Sequence, residues 1–139
     1  IILSNIGELQ LLQKVYGQVF TTVEIAQEFG EFLPEWIVIK GAADIYKQQL
    51  LELQIDKGES SAIALALEMS NATLILDDNK ARKIANQLGL HVTGTIGIIV
   101  RAKLNGIIPS IRPLLEKIRQ TNFRLSVEIE TLALKAAQE

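Results

Sequence analysis

The chain has 139 residues, of which nearly half are hydrophobic, enough for one domain with a core and too few for two domains of ordinary size. It has no cysteine and a single histidine, which excludes disulfides, thiolate catalysis, and zinc sites built from cysteine or several histidines. Any metal ion must therefore be held by oxygen atoms, which favours Mg²⁺ or Mn²⁺.

The net charge of −2 conceals an uneven distribution along the chain. Residues 1–79 carry four basic and twelve acidic side chains, a net charge of −8, whereas residues 80–139 carry ten basic and four acidic ones, a net charge of +6. This separation favours an acidic site for cations beside a basic surface for a polyanion. The alternative is that solvated helices carry unequal charges without a ligand.

The apolar runs and the opening residues of the sequence indicate where the protein is located and whether its natural chain is longer. No apolar run approaches the roughly 20 residues that span a bilayer, and the opening residues lack a signal peptide, so we expect a cytoplasmic protein without a membrane segment. The sequence begins with Ile1 and has its only methionine at Met69. This pattern predicts a longer natural chain that has lost residues at its amino end.

Hydrophobic spacing and turn residues predict strands that alternate with helices. In chain order we expect a helix over 7–15, a strand over 18–22, helix 23–33, strand 35–40, helix 42–53, helix 56–68, strand 73–76, helix 79–89, strand 90–95, helix 96–104, a helix within 109–122 capped by Ser110, and helix 126–139 capped by Ser126. The order predicts one α/β domain, a three-layer α/β/α arrangement around a mostly parallel sheet.

The helix over 56–68 begins with two acids. Asp56 and Glu59 have the D-x-x-E spacing of a capping box, and acids are favoured in a first helical turn. Glu59 also lies on the same helical meridian as Ala62, Ile63 and Ala66, the face that packs. A carboxylate on a packed face needs a cap, a partner or a metal.

A second pair of acids follows the apolar run TLIL. Asp77 and Asp78 come directly after this strand and directly before a helix, and one aspartate suffices to cap that helix. The carboxyl ends of parallel strands are where open α/β sheets bind ligands. We therefore expect a functional role for at least one of the two. Earlier in the chain, Glu24, Glu28 and Glu31 form a stripe along one helix, and spacing alone does not single out any of them.

Four runs of the sequence, taken together and in order, carry a resemblance. The runs are NIGELQLL, DKGESSAIALALE, LILDDNKARKIANQLGL and VTGTIGIIVRAK. They resemble the bacterial and archaeal PIN-domain proteins, in a branch similar to toxins of the VapC type, and the likeness covers nearly the whole chain. The resemblance implies a PIN-like fold and a metal-dependent ribonuclease that uses Mg²⁺ or Mn²⁺.

The same resemblance assigns roles to particular acids. It implies that Glu28, Glu59 and Asp78 bind the metal and that Asp77 joins them in catalysis. The first aspartate of the family lies in a D-T-S-P-like run on an opening strand, directly before IILSNIGEL, and that run is absent here. The chain is therefore expected to lack its first strand. Metal binding and RNA cleavage are expected to depend on the aspartate of that strand.

The partners follow from the charge distribution and the resemblance. Basic side chains of the second half are expected to hold the RNA phosphates, namely Lys80, Arg82, Lys83, Arg101 and Lys103. The resemblance also implies a homodimer and a small antitoxin protein. Two other functions stay open: an inactive PIN-like module that binds protein or RNA, and a phosphorelay receiver domain. The receiver is disfavoured because no aspartate follows Asp78.

Overall fold

The elements of the structure follow the predicted alternation of strands and helices. The computed structural model describes residues 1–139. In chain order its elements are α1 (Ile2–Asn5), α2 (Leu11–Tyr16), β1 (Val19–Thr21), α3 (Val23–Phe29), β2 (Ile37–Ile39), α4 (Ile45–Leu51), α5 (Lys57–Glu68), β3 (Thr73–Ile75), α6 (Asn79–Gln87), β4 (His91–Thr93), α7 (Thr95–Leu104), α8 (Arg112–Arg119) and α9 (Val127–Ala136).

All four strands belong to one compact unit, Gln18–Gly94, which we call the strand unit. Here β1 pairs with β2 and β3 pairs with β4, and both pairs are parallel. A helix connects the strands of each pair, as parallel pairing requires, since such strands need a crossover connection. The strands are three residues long and form two two-stranded sheets. The predicted α/β fold with parallel strands is confirmed.

The core of the strand unit lies between α5, the β3–β4 sheet and α6. Its buried side chains are aliphatic and come from these elements and the residues next to them: Ile55, Ile63, Ala66, Leu74, Leu76, Ala81 and Ala85. Removal of this apolar surface from water is the main stabilising contribution. The packing fixes the first turn of α5 and the carboxyl end of β3, which carry the predicted acids, within one small structure.

The remaining residues, Ile1–Gly17 and Thr95–Glu139, form a second compact unit, which we call the helical unit. Within it α7 contacts both α2 and α9. The side chain of Glu139 accepts hydrogen bonds from the Ser110 hydroxyl (2.5 Å) and the Ile111 N–H (2.7 Å). These bonds lower the pKa of Glu139. They tie the last residue of the chain to the residues that precede α8.

Three predicted helix starts differ from the structure. The helix predicted to begin at residue 42 begins at Ile45, and its N-cap Asp44 accepts hydrogen bonds from the Tyr46 and Lys47 N–H groups. The first predicted helix begins at Leu11 rather than at residue 7, because Gly7 has a φ of 74°, outside the helical region. The helix predicted to be capped by Ser110 begins at Arg112, with Ile111 at the N-cap position. Ser110 instead shares its hydroxyl between Glu139 and the Arg112 N–H. No helix of the chain combines the length and apolarity needed to cross a bilayer.

Candidate functional site

The first turn of α5 is polar in sequence and partly buried in the structure. Asp56 is its N-cap, and its Oδ1 accepts a hydrogen bond from the Glu59 N–H at 2.8 Å. Gly58, Ser60 and Ser61 behind it are all buried. The backbone around Glu59 is therefore held by both a cap and close packing.

Glu59 lies in an environment that disfavours its charge. Its Oε2 is buried and has no hydrogen-bond partner. The pKa of Glu59 is raised from 4.5 to about 8 by burial first, and then by hydrogen bonding to Asp56, the negative charge of Asp56, and the charge and hydrogen bonding of Asp78. The carboxyl groups of Asp56 and Asp78, which cap two different helices, thus converge on Glu59. At neutral pH this group holds a proton, unless a cation takes the proton's place.

The adjacent residues Asp77 and Asp78 face different neighbours. Asp78 is the N-cap of α6, and its Oδ2 accepts a hydrogen bond from the Ala81 N–H at 3.0 Å. Asp77 lies by the end of β4, where a Cβ atom added to Gly94 would be 2.9 Å from Asp77 Oδ1 and 2.6 Å from Arg82 Nη1. The structure therefore associates Asp78 with Glu59, and Asp77 with Arg82.

Glu28 meets the same helix start from α3. A Cβ atom added to Gly58 would lie 2.7 Å from Glu28 Oε2, so the absence of a side chain at Gly58 leaves room for this carboxylate. Glu28 lines a surface cavity of about 330 Å³ whose other lining residues are Glu24, Gln27, Asp56, Lys57 and Gly58. Asp56 thus borders both Glu28 and Glu59.

Of the three metal ligands implied by the resemblance, Glu59 and Asp78 lie together, whereas Glu28 lines the cavity beside Gly58, whose lining includes neither of them. No group of three or more aspartate, glutamate or histidine side chains is placed to hold a metal ion. The donor set nevertheless suits a hard divalent cation, because it consists of carboxylate oxygens and includes the buried, unpartnered Glu59 Oε2.

Gly58→Ala tests the placement of Glu28 with little cost to folding. The new methyl group would displace the flexible end of Glu28, while alanine in a helix is favoured over glycine by roughly 0.5 kcal/mol. We expect unchanged or slightly higher stability in urea and weaker Mn²⁺ binding in calorimetry. The control is Gly41→Ala, since Gly41 has open space around its Cα. Equal Mn²⁺ affinity in both variants would contradict a ligand role for Glu28.

The five predicted phosphate-binding residues differ in their surroundings. Lys80 and Lys83 are exposed on α6, and Arg82 folds toward Gly94. In the helical unit Arg101 is exposed, whereas Lys103 donates a hydrogen bond to the Ala137 carbonyl at 2.9 Å. Of the three predicted phosphate-binding residues in the strand unit, Lys80 and Lys83 are therefore more accessible than Arg82.

Three residues of the candidate site were not predicted from the sequence. Asp56 is not among the predicted site residues, although the D-x-x-E spacing that indicates the cap also places it beside Glu59. Gly58 and Gly94 accommodate carboxylate and guanidinium groups from other elements, and no local pattern marks them.

The comparisons with known proteins give one clear result. No curated protein and no solved structure matches the chain. One family model does match, and it is DUF3368, a family described as a PIN domain, over residues 1–139. With parallel strands, capped acids at strand and helix ends and a match along its whole length, the chain belongs to this family of PIN domains.

Proposed function

We propose that the chain is a metal-dependent ribonuclease that hydrolyses phosphodiester bonds at the acids around Glu59. The observation that carries the proposal is the Glu59 carboxyl, which has a buried oxygen without a partner and lies beside Asp56 and Asp78. Such a group gains from a cation, because a positive charge relieves both the burial of the carboxylate and its repulsion by its neighbours. PIN domains generally use divalent metals.

In this proposal Glu28, Glu59 and Asp78 would hold Mg²⁺ or Mn²⁺, with Asp56 as an additional neighbour. A bound divalent ion supplies a more acidic water and stabilises negative charge on the reacting phosphate. Asp56 and Asp78 orient the site by fixing the starts of α5 and α6. Asp77 and Arg82 both border Gly94, and in this proposal Arg82 would neutralise a phosphate while Asp77 would orient the guanidinium.

The direct test is cleavage of a labelled RNA by the natural full-length chain in the presence of Mg²⁺, Mn²⁺ or EDTA. We expect cleavage with either metal and none with EDTA. Cleavage that persists in EDTA would overturn the metal requirement. Absence of cleavage with every metal, together with absence of Mn²⁺ binding, would overturn the nuclease.

A second function has its own supporting observation. Because no three acids are placed to hold a metal, an inactive PIN-like module that binds RNA or protein is the alternative. The two functions differ in a binding experiment: the nuclease gains melting temperature when Mn²⁺ is added, whereas the melting temperature of the inactive module does not change with Mn²⁺.

The proposal also treats residues 1–139 as one PIN-like domain. In this proposal a strand that precedes residue 1 and carries an aspartate would complete the domain. The four strands form two separate parallel pairs, and one strand paired to both would join them into a single sheet. Extending the chain through the preceding part of its reading frame should then tighten Mn²⁺ binding. Equal affinity with and without that extension would contradict this addition.

RNA binding is expected to depend on exposed lysines. Lys80→Ala with Lys83→Ala removes two accessible charges, so the slope of log affinity against log salt should fall by about 1.4 for a single-stranded RNA. Fluorescence anisotropy in EDTA measures binding without cleavage. The control is Arg124→Ala with Lys135→Ala, which removes the same charge from exposed positions of the helical unit. An equal slope change in both double variants would contradict a specific phosphate surface on α6.

The likeness to VapC-type toxins extends the proposal to a cytoplasmic toxin that forms a homodimer and is neutralised by a small antitoxin. Expression in a bacterial host should then arrest growth, and the product of a small neighbouring gene should restore it. Growth at the normal rate with full RNA cleavage in vitro would separate the nuclease from the toxin role.

A further inference from the structure

Two buried hydroxyl groups join α3 to the first turn of α5. The oxygen atoms of Thr22 and Ser61 are 2.7 Å apart, although the two residues are separated by 39 positions in the chain. Each residue is only 1% exposed. Thr22 is the N-cap of α3, so this contact holds one helix start against another.

The direction of the hydrogen bonds in this pair follows from counting protons. Ser61 donates its only hydroxyl proton to the Gly58 carbonyl at 2.7 Å, since a carbonyl oxygen accepts and never donates. The Thr22 hydroxyl must therefore donate to Ser61. Thr22 Oγ1 in turn accepts from the Ile25 N–H at 3.2 Å. The ordered chain runs from Ile25 through Thr22 and Ser61 to Gly58, and both hydroxyl protons are used.

The neighbouring serine provides a contrast. Ser60 is fully buried, and its hydroxyl has no hydrogen-bond partner. Burial in the first turn of α5 is therefore not sufficient to give a serine partners. The bonded chain is a feature of Thr22 and Ser61 in particular, and it favours one arrangement of the two helices.

The chain of hydrogen bonds ends at the residue that Glu28 also approaches. Glu28 lies six positions after Thr22, and its Oε2 occupies the space beside Gly58. One end of α3 is thus bonded to the Gly58 carbonyl through the hydroxyl pair, while its other end places a carboxylate at the Gly58 Cα. A shift of α3 along α5 would break both contacts.

We infer that Thr22 and Ser61 are positioning residues, whose hydroxyl pair holds Glu28 at a fixed place relative to Glu59 so that the two carboxylates act on one cation. The inference rests on the proposed metal-dependent nuclease. Neither hydroxyl needs to touch metal or RNA, since their effect is transmitted through the placement of α3.

The main test is Ser61→Ala, because it removes the pair while leaving Thr22 able to cap α3. We expect a folded protein by circular dichroism, a Mn²⁺ dissociation constant raised about tenfold in calorimetry, as is typical when a residue that orients a ligand is lost, and a lower kcat with an unchanged KM for RNA. Thr22→Val should have a similar effect, and the double variant should be no worse than the more affected single variant, because the pair acts as one unit.

Two matched variants separate positioning from general loss of stability. Ser60→Ala removes a buried hydroxyl from the adjacent residue and should bind Mn²⁺ like the wild-type chain. Thr22→Ser keeps the hydroxyl and should restore wild-type affinity. Ser61→Ala and Thr22→Val remove the same hydroxyl pair from different helices. If only one of the two variants folds, that variant is enough for the measurement.

The outcomes distinguish this inference from the function on which it rests. If wild-type protein binds Mn²⁺, Glu59→Gln loses that binding, and Ser61→Ala or Thr22→Val binds as wild type does, the positioning role is overturned and the nuclease stands. If wild-type protein does not bind Mn²⁺, the nuclease is overturned and the positioning role falls with it. A tenfold loss in Ser60→Ala as well would also overturn the assignment to the hydroxyl pair.

Discussion

Glu59→Gln is expected to reduce metal-dependent RNA cleavage by about a hundredfold or more, because loss of a few kcal/mol of transition-state stabilisation has that effect on rate. Glutamine has nearly the shape of the protonated glutamic acid, and the raised pKa of Glu59 means that the metal-free fold already holds the neutral form. The fold should therefore persist while a metal ligand is lost.

The measurement is single-turnover cleavage of a labelled RNA with Mn²⁺, alongside urea unfolding of both proteins. Glu31→Gln is the matched control, since Glu31 is exposed and belongs to the same unit. Cleavage at the wild-type rate in Glu59→Gln would remove Glu59 from the site, whereas equal loss in both variants would point to an effect of net charge.

Mn²⁺ affinity is expected to fall roughly fiftyfold between pH 8 and pH 6, because a proton and a cation compete for a carboxyl whose pKa is about 8. Calorimetry under argon in buffers that do not bind metal gives the dissociation constants. Glu59→Gln should bind weakly and with little pH dependence over this range. A wild-type affinity that is constant between pH 6 and pH 8 would show that the Glu59 carboxylate does not bind the ion.

The same group determines how stability without metal changes with pH. The pKa of Glu59 is raised in the fold from 4.5 to about 8, so its contribution to stability is fully present below pH 4.5 and is lost as pH rises through about 8. The free energy of unfolding of the wild-type chain, relative to that of Glu59→Gln, should therefore decrease across this window. Mn²⁺ should reverse the decrease at the upper end.

The sequence predicted the elements that local chemistry determines. The strand TLIL and the helix after it were placed correctly because an apolar run is followed directly by an N-cap residue, Asp78. The helical meridian also predicted that Glu59 enters a packed face, where its Oε2 is buried. These features depend on residues within a few positions of one another, which is the range over which the spacing of hydrophobic residues predicts structure.

Features that depend on distant residues were not predictable. The Ser110 hydroxyl, just before α8, donates to Glu139, which lies 29 positions later in the chain. Asp77 and Asp78 have different surroundings because the fold brings Gly94 beside Asp77 and Glu59 beside Asp78. The Thr22–Ser61 pair spans 39 positions. In each case the partner is fixed by packing, which a pattern of spacing within one segment does not encode.

Asp56 and Asp78 each accept a helix-capping hydrogen bond and each also raise the pKa of Glu59. A change at either position therefore harms architecture and chemistry at once, and a survey of random variants scored by survival would count both as structural. Glu59 caps no helix, so a substitution there can remove the proposed activity while the fold is kept.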